Sequence, residues 1–85
     1  MKIYLYDESN RAEMHTALGD NCIEYDIDGV GISTPSGVIR LHDAPRFTHF
    51  KCEIGGVEYI FQITSMASKG GVLCEYSYTI DYLKD

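Results

Sequence analysis

The sequence has no tryptophan, two prolines, and three cysteines (Cys22, Cys52 and Cys74) with no CxxC spacing among them. Three thiols cannot all pair within one chain, so a disulfide-stapled secreted scaffold is not expected, and a reducing, cytoplasmic setting fits better. Positive charge is scarce: seven Lys and Arg stand against 13 Asp and Glu, a formal charge of −6. Such a balance repels nucleic acid and anionic membrane and attracts basic protein surfaces at long range, so direct binding of DNA or RNA is not expected. No apolar run approaches the roughly 20 residues of a membrane span. The opening MKIYLYDES alternates from the start, without the basic start and unbroken apolar run of a signal peptide.

Catalytic signatures are missing as well. The glycines of GDN (19–21), DGVG (28–31) and KGG (69–71) fall where turns are needed, and none sits between a strand and a helix where it could aim backbone N–H groups at a phosphate. Cys52 and Cys74 fall on the apolar side of their strands, where a thiol acts as a small hydrophobe rather than a nucleophile. The histidines are His15, His42 and His49. The last two flank a DAPR loop with Asp43, but a structural zinc site wants four ligands and no cysteine lies near. No enzymatic activity, metal or cofactor is expected.

What is present is hydrophobic alternation. Of the 85 residues, 45% are hydrophobic and 12% aromatic, including seven tyrosines. That is enough for one small folded domain spanning 1–85, which buries roughly 60% of its unfolded surface. One segment has helical character. In SNRAEMHTALGD, Asn10 can cap a short helix, Glu13 follows three residues later, Met14 and Leu18 share a face, and Gly19 ends it. Either side of that helix the period is two. A first strand covers Lys2–Asp7, and six more follow from Cys22 onward.

Turn chemistry predicts the registers. With Asp28-Gly29 as a two-residue turn, Tyr25 faces Ile32 and Ile27 faces Val30; with Pro35-Ser36 as the next, Ile32 faces Ile39 and Val30 faces Leu41. Residues 22–43 then form one meander. In a second, Gly55-Gly56 pairs Ile54 with Val57, Cys52 with Tyr59, Phe50 with Phe61 and Thr48 with Ile63. Lys69-Gly70 as a two-residue turn then pairs Ile63 with Tyr76, Phe61 with Tyr78, Tyr59 with Ile80 and Val57 with Tyr82. Both turns select the same apolar face of the central strand. The expected fold class is therefore α+β: one short N-terminal helix and a mainly antiparallel sheet of about seven strands in two meanders, closed as a half-barrel or a small sandwich.

The stretch EYDIDG (24–29) resembles the start of a calcium loop, with Glu24, Asp26, Asp28 and Gly29 near the required places. Pro35 stands where the final bidentate carboxylate belongs, and Tyr25 and Ile27 alternate with the acids as in a strand. A metal-binding protein is thus the weakest of the readings. As a strand, the stretch holds Glu24, Asp26 and Asp28 on one face at intervals of about 6.8 Å, similar to the spacing of phosphates along an extended nucleic-acid strand. The expected registers align a second acidic row, with Glu53 opposite Glu58 and Glu58 opposite Asp81. Three facing carboxylates repel and call for a cation, with Lys51 the nearest on that face. The same outer face carries Phe47 and Ile60, apolar residues expected to be exposed, as a partner site or a second buried layer.

In size, charge and want of catalytic residues the chain resembles the small acidic inhibitors of phages and mobile elements, including anti-restriction and anti-CRISPR proteins. That resemblance implies a nucleic-acid mimic that covers the basic nucleic-acid-binding surface of a partner protein. The expected function is a non-enzymatic protein-binding module using Glu24, Asp26, Asp28, Glu53, Glu58, Asp81, Phe47 and Ile60. The alternative is an assembly subunit that buries Phe47, Ile60 and Leu73 in a homo-oligomer.

Overall fold

The computed structural model describes residues 1–7, 9, 22–27, 32 and 35–83, with backbone alone at 82 and 83. Within them every regular element is a strand: β1 (Lys2–Tyr6), β2 (Ile23–Asp26), β3 (Ser36–His42), β4 (His49–Ile54), β5 (Val57–Ser68) and β6 (Leu73–Leu83). They form one antiparallel sheet in the order β2-β1-β4-β5-β6-β3. The described architecture is a six-stranded all-β half-barrel. This corrects the expected α+β class with a helix and seven strands. The helix expected at 10–19 and most of the strand expected at 30–34 lie outside the described residues; Ile32 is buried and belongs to no strand. Among the described residues no helix is long and apolar enough to cross a membrane.

The central hairpin follows its turn. Gly55 and Gly56 adopt φ of 58° and 81°, the left-handed pair that a two-residue hairpin turn of matching twist requires. Ile54 then meets Val57, Cys52 meets Tyr59 and Phe50 meets Phe61, as the alternation predicts, and Ile63 N–H donates to the Thr48 carbonyl at 2.9 Å.

The outer strands of the expected first meander take distant partners, and most of its middle strand lies outside the described residues. Strand β2 pairs with β1, placing Tyr25 opposite Ile3 and Ile23 opposite Leu5, while β3 pairs with β6, placing Ile39 opposite Tyr76 and Leu41 opposite Cys74. These distant partners satisfy the same apolar alternation as the adjacent strands would, and alternation fixes a strand's face without naming its neighbour. The β5–β6 register also differs. Lys69 N–H donates to the Leu73 carbonyl at 2.9 Å, so Gly70, Gly71 and Val72 form a longer loop than the expected Lys69-Gly70 turn. Ile63 therefore meets Tyr78, Phe61 meets Ile80 and Tyr59 meets Leu83. Two register shifts in this ladder pass over Thr64 on β5 and Asp81 on β6. Such bulges bend a strand and redirect the side chain of the extra residue.

The concave face holds the main core. Phe50, Phe61 and Tyr78 lie at ring-centroid separations of 5.0–5.3 Å, the Phe47 ring lies tilted 4.7 Å from Tyr76, and Ile3, Leu5, Ile39 and Leu41 belong to the same cluster. The two outer strands approach across the open side, where the Tyr25 hydroxyl donates to the His42 carbonyl. The sheet thus curls into a half-barrel, and among the described residues β2 and β3 share no ladder, which leaves a seam between them.

Candidate partner interface

The acidic ladder sits on β2, an edge strand of the sheet. Glu24 lies opposite Tyr4 and Asp26 opposite Lys2, and the period of two puts both carboxylates on one face. Both are solvated: their side chains are 53% and 71% exposed. Each has a cation at hand. Lys2 Nζ is 2.9 Å from Glu24, and the chain's amino terminus is 3.2 Å from Asp26. The bond to Glu24, followed by that carboxylate's charge, raises the Lys2 pKa above its ordinary value. Asp28 lies outside the described residues.

Of the second acidic row, the first pair is formed: Glu53 stands opposite Glu58 across the β4–β5 hairpin. Lys51, the cation expected there, has its Nζ 3.1 Å from Glu58, and its side chain is wholly buried. A buried lysine is rare unless paired, and the Tyr6 ring, with its centroid 5.5 Å from Nζ, adds a favourable aromatic face. The third member of the row is elsewhere. The longer β5–β6 loop moves Asp81 away from Glu58, and its position at a register shift directs it toward β4, where it lies 3.7 Å from Nε2 of buried His49. The other ring nitrogen, Nδ1, is 2.8 Å from Thr48 Oγ1.

Phe47 and Ile60 are buried rather than exposed. Phe47 belongs to the concave core, and Ile60 packs with Tyr6, Tyr4 and Cys22 on the opposite face of the sheet. That face, expected to be polar and wet, carries a second buried layer containing Tyr6, Ile60, Lys51 and His49. The clue was present in the alternation: Tyr4, Tyr6 and Ile60 share its parity, and two tyrosines beside an isoleucine make an apolar patch. With Phe47 and Ile60 inside the chain, neither offers surface to a homo-oligomer or a partner. His42, Asp43 and His49 do not converge; among the described residues no group of three or more His, Cys, Asp or Glu side chains is placed to hold a metal ion.

No family model, curated protein or solved structure matches this chain.

The seam between the outer strands was not foreseen, because it depends on which strands become edges. It encloses a cleft of about 420 Å³ walled by Tyr25 and Ile27 on one side and Val38, Ile39 and His42 on the other. Asp26 and Arg40 stand at this cleft with opposite charges. Arg40 is held by Glu75, its Nε and Nη2 each 2.9 Å from the same carboxylate oxygen. Glu24 and Asp26 are thus exposed acids on an outer strand of the sheet.

Proposed function

We propose that this protein is a non-enzymatic binding module that docks the acidic outer face of β2 on a basic surface of a partner protein. The partner's surface is one that would otherwise hold nucleic acid, so the module acts as a mimic and inhibitor of the kind found in phages and mobile elements. One observation carries this: Glu24 and Asp26 project from an edge strand with regular spacing and high exposure. Their present cations do not consume them. Solvent screens exposed ion pairs so that they contribute little, and exchanging Lys2 and the amino terminus for a partner's Arg or Lys therefore costs little. The net charge of −6 supplies long-range attraction to such a surface. The three cysteines are free thiols, which suits a cytoplasmic setting.

The test compares the wild-type protein with E24K/D26K, each immobilised and exposed to lysate of the native host. A basic nucleic-acid-binding protein should be retained by the wild type, released by salt or by competing duplex DNA, and lost with the variant. Equal retention by both proteins across a salt series rules the proposal out.

A further inference from the structure

The strands of the β4–β5–β6 meander differ greatly in length, and among the described residues this leaves part of a central strand with a neighbour on one side only. Strand β5 has 12 residues, whereas β4 has six, and the last bond between them joins Ile63 N–H to the Thr48 carbonyl. Beyond it, Ser65–Ser68 pair with β6 while the register shift passes over Thr64, and among the described residues no strand pairs with the other edge of this stretch. All five residues are exposed, with Met66 at 59%. Natural sheet edges are usually guarded by charge, proline or a covering loop. The run Thr-Ser-Met-Ala-Ser has neither charge nor proline.

A groove of about 410 Å³ lies beside this edge, between the distal β5–β6 hairpin and residues 44–47. Phe47, Ile63, Met66 and Tyr76 make it apolar, and Arg46 stands on its wall. In a chain with nearly twice as many acids as bases, Arg46 is exposed and makes no ion pair among the described residues. Lys69, at the far end of the edge, is 47% exposed and only loosely held, 3.8 Å from Glu75, whose carboxylate is already gripped by Arg40. Positive charge thus borders the open edge at both ends.

We propose that the Thr64–Ser68 edge takes up an extended, acidic segment of a partner protein as an added antiparallel strand. Five residues span about 17 Å, enough for main-chain bonding along the edge. Alternate apolar side chains of the segment enter the groove, and the carboxylates between them face outward, where the long, exposed Arg46 side chain reaches them from the groove's rim. A second copy of this chain fits less well, since its own edge offers Arg46 no acid and each copy carries the same net charge. The surface is separate from the β2 ladder, on the opposite side of β1 and β4 in the strand order.

The test is an NMR titration of the ¹⁵N-labelled full chain with two capped peptides, acetyl-Val-Glu-Val-Glu-Val-amide and its Lys-for-Glu counterpart. The acidic peptide should shift the amides of Ser65–Ser68 saturably, and the basic one should not. R46Q should weaken the acidic peptide's binding, R46E should weaken it by about tenfold, the effect of roughly 1.4 kcal/mol, and E24K/D26K should leave it unchanged. Three results overturn the proposal: shifts confined to other regions, equal response to both peptides, or no effect of either Arg46 substitution. Concentration-dependent broadening of the same amides without peptide also overturns it, because the edge would then be filled by a second copy.

Discussion

Replacing Gly37 by alanine tests how tightly the outer strand β3 is locked to the aromatic core. Gly37 lies directly opposite Tyr78 in the β3–β6 ladder, and the Tyr78 ring covers it. A Cβ at position 37 would stand 2.5 Å from the Tyr78 hydroxyl oxygen, 2.9 Å from Cζ and 3.3 Å from Cε2. The ring has little room to yield, being 3% exposed and packed edge-on against both Phe50 and Phe61 at 5.3 and 5.0 Å. Overpacking of this kind costs about 1–3 kcal/mol. Alanine restricts the unfolded chain and returns about 0.4–1 kcal/mol, so G37A should lose about 1–2 kcal/mol net. For a domain of this size each kcal/mol lowers Tm by about 4–8 °C. Urea denaturation and thermal melts read the loss, and a double-mutant cycle assigns it: Y78F removes the nearest atom, so G37A/Y78F should be more stable than the two single losses predict. A G37A protein as stable as the wild type, or a cycle with no coupling, would show that Tyr78 does not lie over Gly37.

Further predictions concern the buried polar groups. Burial pushes the Cys52 thiol up to about 12 from an ordinary value near 9, so iodoacetamide at pH 8 should modify half-buried Cys22 and Cys74 first and reach Cys52 only on unfolding; mass spectrometry showing early Cys52 labelling would contradict its place in the core. The same shift sets a pH dependence. Folding holds the Cys52 proton that the unfolded chain releases, so the stabilisation is complete below about pH 9 and is lost as pH climbs toward about 12. Burial also raises the Tyr76 hydroxyl, in the same direction. C52A should flatten the alkaline decline relative to the wild type in denaturation curves taken through that range. Lys51→Met removes the cation beside Glu58 and should cost about 2–4 kcal/mol, somewhat less than a fully buried pair because water reaches Glu58. K51M/E58Q should recover part of it, and a K51M protein of unchanged stability would place Lys51 outside the buried layer.

The β4–β5 hairpin was legible because a Gly-Gly turn and strict alternation agree, and local rules suffice when the partner is the next strand. The pairings of β2 and β3 were not, since Ile23, Tyr25, Ile39 and Leu41 alternate equally well against adjacent or distant strands. Asp81 shows how a small local difference spreads. One longer loop at Gly70–Val72 and a shift at Asp81 move this carboxylate from Glu58 to His49. The acids of β2 were readable as a ladder, whereas their proximity to Lys2 and the amino terminus required the β1–β2 pairing. Ile60 is misread from alternation because the fold buries side chains on both sheet faces, whereas Phe47 precedes β4, which starts at His49, so strand parity does not govern its ring and it enters the concave core.

Docking through β2 is tested most directly by the retention of a basic, nucleic-acid-binding host protein on immobilised wild type and on E24K/D26K, with circular dichroism confirming that both are folded. The wild type should retain it, less as salt rises and not in the presence of competing duplex DNA, and the variant should retain none. Retention that is the same for both proteins and indifferent to salt would contradict such docking.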